Sequence, residues 1–471
     1  MKKIETIILG LICAFIAGGC SDFLEGKSQD EVLVRTVEDY DELLLAYMLT
    51  EDKLFDMYEF LDDDMQIDEN NAFDFGVNNN VQTGYGCFTW QPDMWEMENK
   101  RSDGYINIYS QIMGINAVLD GIDDAEGARE KKDRVKAEAL GVRAYLYFML
   151  VNLYGEPYNY NKEALGVVLK LSAGMVENGI NRNSVEDVYT QLVKDLKESA
   201  DLFAKYPKQR GNYRINGTAV NILLSRVYLH MDQWEEAIGA ATKAIETAEG
   251  LTNYLETPEG SDFWMTTYNN SEVEWLFGKS ELYLVNGFRP SDGLLLAYDT
   301  KDRRPAFWFV NDGAGGSWDI RKRRAVNNGT GPRNTIRISE AYLNRAEAYM
   351  LSENVNIDGA LADWNELRRH RIEEYQDERI TDPVRLLEEI RLERRRELCF
   401  ELHRWFDLRR YGMSSISHDY KLKEEDPWLV YTLKEKDPLY TLPLPMSVFE
   451  HNLSLKQNAS ALEPKRSGKN K

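Results

Sequence analysis

The chain has 471 residues, 43% hydrophobic and 29% charged, the proportions of a folded globular protein with room for a large core. Lys and Arg number 57 against 79 Asp and Glu, a formal net charge of −22 that argues against a nucleic-acid binder working by counterion displacement. Aromatic residues reach 11%, including 10 Trp and 26 Tyr, a supply suited to a surface that binds flat apolar faces.

The chain opens with Met1–Phe23, MKKIETIILGLICAFIAGGCSDF. Lys2 and Lys3, an apolar run from Ile7 to Ile16, and the small residues Ala17, Gly18 and Gly19 are the three parts of a secretory signal. The run is shorter than the roughly 20 residues needed to span a bilayer. A cysteine directly after the small residues resembles a bacterial lipoprotein box, with residues 1–19 cut away and lipid carried on Cys20. Ala17 departs from that pattern, which favours a larger aliphatic residue. The alternative is an ordinary cleaved signal that happens to contain Cys20. Each buried CH₂ of an acyl chain adds roughly 0.8 kcal/mol of membrane affinity, so several chains hold firmly without a spanning helix. Cys87 and Cys399 then remain, far apart in sequence, and no structural disulfide is expected.

Residues 20–36 read as a polar, acidic tether. Glu38–Thr50 is a predicted helix with Tyr40, Leu43, Leu44 and Tyr47 on one side. Residues 53–99 read as irregular, with an acidic cluster (Asp62, Asp63, Asp64, Asp68, Glu69), the run Asn78–Asn80, and the aromatics Tyr85, Phe88, Trp90 and Trp95. Helical periodicity follows. Tyr105–Ile122 and Lys132–Tyr154 form one pair, the second stopping at Gly155 and Pro157. Val185–Phe203 and Asn216–Met231 form another, with the alanine-lined Trp234–Ala248 close behind. Ile338–Leu351 and Asp358–Arg371 form a later pair. The units AVNILLSRVYLH–WEEAIGAATKAIE and AYLNRAEAYML–ALADWNELR resemble tetratricopeptide repeats, separated by insertions. A generic helical bundle is the alternative.

Residues 251–335 differ in character, rich in Gly, Asn and aromatics, with VEWLFG and PAFWFV as short-strand candidates. The segment is too long for a plain connector and suits a binding surface on a rigid scaffold. Leu386–Tyr411 is the strongest predicted helix, apolar along Leu387, Ile390, Leu398, Leu402, Trp405 and Leu408. Its charged remainder is either a solvated face or a network of Arg and carboxylate against neighbouring helices.

Several stretches together resemble the SusD/RagB lipoproteins of the Bacteroidetes over nearly the whole chain. They are CSDFLE at Cys20, VRAYLYFMLVNLYGEPY (Val142–Tyr158), YDTKDRR (Tyr298–Arg304), IRLERRRELCFELHRWFDLRRYG (Ile390–Gly412) and PLPMSVFEHNLSLKQN (Pro443–Asn458). After Asn458 the chain departs, with Ala459 and Ser460 where the family has Pro-Gly. The resemblance implies a mainly α fold, residues 20–471 forming one domain of tetratricopeptide-like helix pairs with the 251–335 insertion carrying the ligand surface. It implies capture of a glycan or similar nutrient at the outer membrane, on a lipid-anchored, surface-exposed protein. It implies a partner, a SusC-like TonB-dependent transporter, over which this chain sits as a lid.

No H-E-x-x-H, nucleophile elbow or phosphate-binding loop is present, and the 5 His are scattered, so no enzyme is expected. A surface glycoside hydrolase, which needs only two placed carboxylates, and a structural or adhesion lipoprotein are the alternatives. No cofactor is expected. The cluster from Asp62 to Glu69 is either a Ca²⁺ site or a solvated acidic loop. A pyranose offers an apolar face to a ring and a rim of hydroxyls to Asn, Asp and Arg. Trp90, Trp95, Trp264, Trp308 and Trp318, in loop-like sequence, are the ring candidates, with core packing the competing reading for each. Asn78–Asn80, Asn99, Asn269 and Asn270 are polar candidates, while Trp364 and Trp405 sit on helix seams and read as core.

Overall fold

The computed structural model describes residues 34–48, 55–74, 76–97, 104–176, 179–207, 211–257, 270–279, 286–311, 318–323 and 332–471. The leader with Cys20, together with Trp264, Asn99 and Asn269, lies outside the described residues.

The fold is mainly helical. Two early helices are α1 (Val37–Leu45) and α2 (Asn78–Phe88). The scaffold follows as α3 (Tyr105–Gly121), α4 (Arg129–Tyr154), α5 (Val185–Lys205), α6 (Gly217–His230), α7 (Trp234–Thr247), α8 (Ile338–Leu351) and α9 (Ile357–Arg369). Each packs against the next in this order. The pairs therefore form one continuous stack, and α7 meets α8 directly although the whole 251–335 insertion separates them in sequence. Ala237, Ala240, Ala241 and Ala244 of α7 are buried, and their small side chains let α6 and α8 approach α7 together. Local chemistry starts these helices where expected. Ser184 and Asp187 form a reciprocal capping box on α5, and Thr36 and Asp39 do the same on α1. α1 locks onto α3 through glycine notches. A Cβ at Gly114 would lie 2.0 Å from the Tyr47 ring, and one at Gly121 would lie 1.9 Å from the Tyr40 hydroxyl.

Two segments differ from the predicted secondary structure. Asn78–Asn80 lies at the start of α2, not in an irregular segment. Leu386–Tyr411 is not one helix but α10 (Pro383–Leu398) and α11 (Arg404–Arg410). The break has a backbone cause: Phe400 and Leu402 take φ of 59° and 64°, the left-handed region that ends a helix. The detour turns the Glu401 carboxylate onto Arg337 and Lys322.

The charged residues of α10 and α11 are largely buried, so the solvated-face reading is overturned and the network reading holds. Glu397 receives Arg304 at 2.7 Å, Arg371 at 2.9 Å and Arg337. Glu393 receives Arg304 at 2.6 Å and Arg368 at 2.9 Å. Arg371 and Arg337 also hold Glu272, at 3.0 and 2.7 Å. A second cluster runs Arg394–Asp407–Arg410–Glu347 through contacts of 2.8, 2.9 and 2.6 Å. Arg304, Arg337, Lys322 and Glu272 come from the insertion or its flank, so this network clamps the insertion to the helical scaffold. The remaining signature residues staple the backbone. Arg409 donates to the carbonyls of Asn152 and Gly155 at the end of α4. Gln457 bridges the N–H and C=O of Leu444, and Asn458 donates to Tyr154 and Leu442.

The strands are short. β1 (Met65–Ile67) pairs antiparallel with β3 (Phe288–Pro290). β2 (Val273–Lys279), the VEWLFG segment, pairs with β6 (Pro332–Arg337). β4 (Phe309–Asn311) pairs with β5 (Trp318–Ile320), so only the end of PAFWFV is strand, its start forming a helical turn at Arg304–Trp308. β7 (Ile416–Tyr420), β8 (Leu429–Leu433) and β9 (Lys469–Asn470) form a three-stranded sheet. Cys87 and Cys399 are free and buried.

Candidate functional site

A cleft of about 290 Å³ opens between the β1–β3 ladder and the β7–β8–β9 sheet. Strand alternation builds its walls. Met65, Ile67 and Phe288 point into the core, so Gln66 and Arg289, paired across the ladder, share the outer face. On β7 the inward residues are Ile416, His418 and Tyr420, leaving Ser417 and Asp419 outward. Trp428, half-buried, precedes β8, and Lys471 follows β9.

The polar rim is ordered by its own contacts. Arg289 donates to Asp292 at 2.7 Å, and the Asp292 N–H donates to the Gln66 side-chain oxygen at 2.9 Å. Hydrogen bonding from Arg289 holds the Asp292 carboxyl below its ordinary value. Lys471 reaches Asp419 at 2.6 Å, and its N–H donates to the Trp428 carbonyl at 3.0 Å. The Lys421 ammonium stands 5.0 Å from the Trp428 ring centre. Glu69 is exposed at the mouth.

The floor is aromatic. His418 stacks between Phe88 and Trp90 at 4.0 and 4.4 Å. Its Nδ1 faces the Phe88 carbonyl at 2.7 Å and its Nε2 the Asp62 carbonyl at 2.9 Å. Burial, opposed by those carbonyls and by Asp63, keeps its proton affinity below the ordinary imidazole value. The acidic turn behind β1 is fixed from the scaffold. Arg404 grips Asp63 at 2.6 and 2.9 Å, and Arg395 reaches Asp64 at 2.7 Å. Against its burial, these guanidiniums bring the Asp63 carboxyl down to about 2. Burial and the neighbouring Asp64 and Asp63 push Asp62 well above its ordinary range. This overturns the solvated-loop reading of Asp62–Asp64 and gives their carboxylates a role other than cation binding. Among the described residues no group of three or more His, Cys, Asp or Glu is placed to hold a metal ion.

Of the predicted rings, three belong to the core. Trp90 is 0% exposed and donates to the Leu61 carbonyl at 2.9 Å, so it supports the floor from beneath. Trp95 is 1% exposed and donates to Pro443 at 2.8 Å. Trp308 is 1% exposed under the Lys322 ammonium, 4.0 Å from its ring centre, inside the charge network. Each stands in loop-like sequence, but irregular segments and short helical turns that cross a core bury their rings as long helices do. Trp318 is half-buried on β5, which packs beside β3, and its backbone N–H donates to Asp68 at 3.0 Å. Asn78 is spent on the Ala72 and Leu422 carbonyls, and the Asn270 side-chain oxygen accepts from the Thr252 hydroxyl and the Glu272 N–H. Trp364 and Trp405 are core, as expected. Sequence reasoning missed Trp428, Gln66, Arg289, Asp419 and Lys471. Trp428 carried the same signal as the others, an aromatic in a polar loop (KEEDPW). The rest carried only strand alternation in three- to five-residue pieces.

Two family models match the chain: one described as "Starch-binding associating with outer membrane" over residues 22–229, the other as "SusD family" over residues 321–460. A SusD-like protein of Formosa agariphila is 21% identical over 290 residues, 58% of this chain. The match spans about half of that relative, 51% of its length. Among solved structures, a SusD superfamily protein of Bacteroides thetaiotaomicron superposes with a TM-score of 0.71 at 23% identity, covering 90% of this chain and 99% of that one. A SusD superfamily protein of Bacteroides vulgatus gives 0.72 at 22%, covering 90% and 99%. A SusD-like carbohydrate binding protein of Bacteroides vulgatus gives 0.66 at 20%, covering 89% and 97%. The fold of these structures is the fold of this chain. The two family models and the helix stack carrying the signature residues place the protein: it belongs to the SusD/RagB family.

Proposed function

We propose that this protein captures a carbohydrate in the cleft between the β1–β3 ladder and the β7–β8–β9 sheet, without cleaving it. The observation that carries this is the half-buried Trp428 ring beside the ordered planar groups of Gln66, Arg289, Asp292 and Asp419. A ring takes the apolar face of a pyranose, and forked polar groups take its hydroxyls in pairs. Trp318, half-buried on β5 beside β3, is a second candidate ring outside the cleft lining. The family description of starch binding is consistent with this ligand class. Two cleft carboxylates, Asp63 and Asp292, are held below the ordinary range by arginines, whereas a glycosidase acid is held above it.

We further propose that Cys20 carries the lipid that tethers the chain to the outer membrane, and that a SusC-like TonB-dependent transporter receives the ligand. The signal-like leader ending at Cys20 and the family's outer-membrane description support this. The test of the site is titration with oligosaccharides. Trp428→Ala is expected to weaken binding by about tenfold, or about 1.4 kcal/mol, from a micromolar-to-millimolar start. Unchanged affinity removes the cleft from the reading, and release of reducing ends removes the non-catalytic role.

A further inference from the structure

The charges lining the cleft say which sugars suit it. Six charged side chains line it: the carboxylates Asp63, Glu69, Asp292 and Asp419, and the cations Arg289 and Lys471. Each cation is already matched, Arg289 to Asp292 at 2.7 Å and Lys471 to Asp419 at 2.6 Å. Behind the wall, Arg404 is matched to Asp63 at 2.6 Å and Arg395 to Asp64 at 2.7 Å. An anionic ligand would have to take Arg289 or Lys471 from its carboxylate, or draw the Lys421 ammonium off the Glu424 carbonyl at 3.0 Å and the Phe73 and Trp428 rings at 4.6 and 5.0 Å, and exposed Glu69 would repel it. The long-range field of a −22 chain has the same sign. A hydroxyl faces neither obstacle. It donates to carboxylate oxygens of Asp292, Asp419 or Glu69 and accepts from the Gln66 amide or from an Arg289 N–H, leaving the ion pairs in place.

We infer, resting on the reading that the cleft holds carbohydrate, that its ligand is an uncharged glycan, and that uronate- and sulfate-bearing polysaccharides are rejected by the paired rim and by Glu69.

The test uses the full chain in a non-glycosidic detergent, so that no detergent headgroup competes. It is titrated with neutral gluco-, manno- and xylo-oligosaccharides, and with oligogalacturonate and sulfated galactan fragments. Measurements at about 50 and about 500 mM NaCl separate the screened long-range field from the local pattern. A neutral member that binds at least about tenfold more tightly than either anionic probe at the higher salt is the expected result. Neutral binding should also change little with salt. Equal or tighter binding of an anionic probe, falling steeply with salt, overturns this inference and leaves carbohydrate capture standing. Binding of no member overturns both. Glu69→Lys, at an exposed position, is expected to raise the ratio of anionic to neutral affinity by at least about fivefold. An unchanged ratio overturns the role given to Glu69.

Discussion

Glu274 shows how one residue sets a pH dependence. It lies on β2, 6% exposed, with its carboxylate accepting from the Asn216 amide at 2.8 Å. Burial pushes its carboxyl up to about 7 from an ordinary 4.5, against the hydrogen bond from Asn216. The folded chain therefore holds a proton that the unfolded chain has released across this window. The stability linked to that proton is complete below pH 4.5 and is lost as pH rises through 7. Gln in its place keeps the acceptor without the charge. Urea unfolding at pH 5 and pH 8 should show Glu274→Gln gaining on the native chain as pH rises, by up to about 3 kcal/mol. An equal difference at both pH values would locate the titration elsewhere.

At the level of elements, α10 does the organising. Asp382 caps it, Pro383 starts it, and its buried Glu393 and Glu397 meet arginines from three other parts of the chain. Burial alone would raise these carboxyls. The cations win: arginines bring Glu393, and Arg337 with Lys322 brings the neighbouring Glu401, down to about 2 from 4.5. The stability they contribute is present above pH 4.5 and is lost as pH falls through 2, so the chain should unfold steeply in acid. Glu397→Gln leaves Arg304, Arg337 and Arg371 short of a counter-charge and should cost about 3–5 kcal/mol in chemical unfolding. A loss under about 1 kcal/mol would mean that solvent reaches the network. Because Lys322, Arg337 and Glu272 belong to the same network, the variant should also loosen the insertion, read as faster amide exchange in β2 and β6 than in α4.

For the whole molecule, the helices from α3 to α9 form one continuous stack, and the cleft lies where β1, β3 of the insertion and the C-terminal sheet meet. If Cys20 is the anchor, Cys20→Ala made in the native host should move the protein from the membrane fraction to the soluble one. Persistence in the membrane would assign the attachment to another feature. Among the described residues no helix is long and apolar enough to cross a membrane.

Helix content, the pairing of helices and the signature at Ile390–Gly412 were readable from the sequence because periodicity is local. Apolar residues three and four apart face one side whatever the rest of the chain does, and the alanines of α7 announced close approach before any partner was known. Family membership followed from the same residues. Side-chain burial was readable on the helix seams, as for Trp364 and Trp405, but not in the loops and charged faces, where it depends on segments far away in the chain. Trp90 supports a cleft floor because β7 arrives with His418, and Trp95 is covered because Pro443 arrives above it. Glu397 looks like surface charge until Arg304, Arg337 and Arg371 converge on it. The cleft joins Gln66, Arg289, Asp419 and Lys471, residues that nothing in their local sequence relates. A chain specifies its own periodicity by sterics, but which charge is neutralised and which ring meets a ligand is decided by long-range packing.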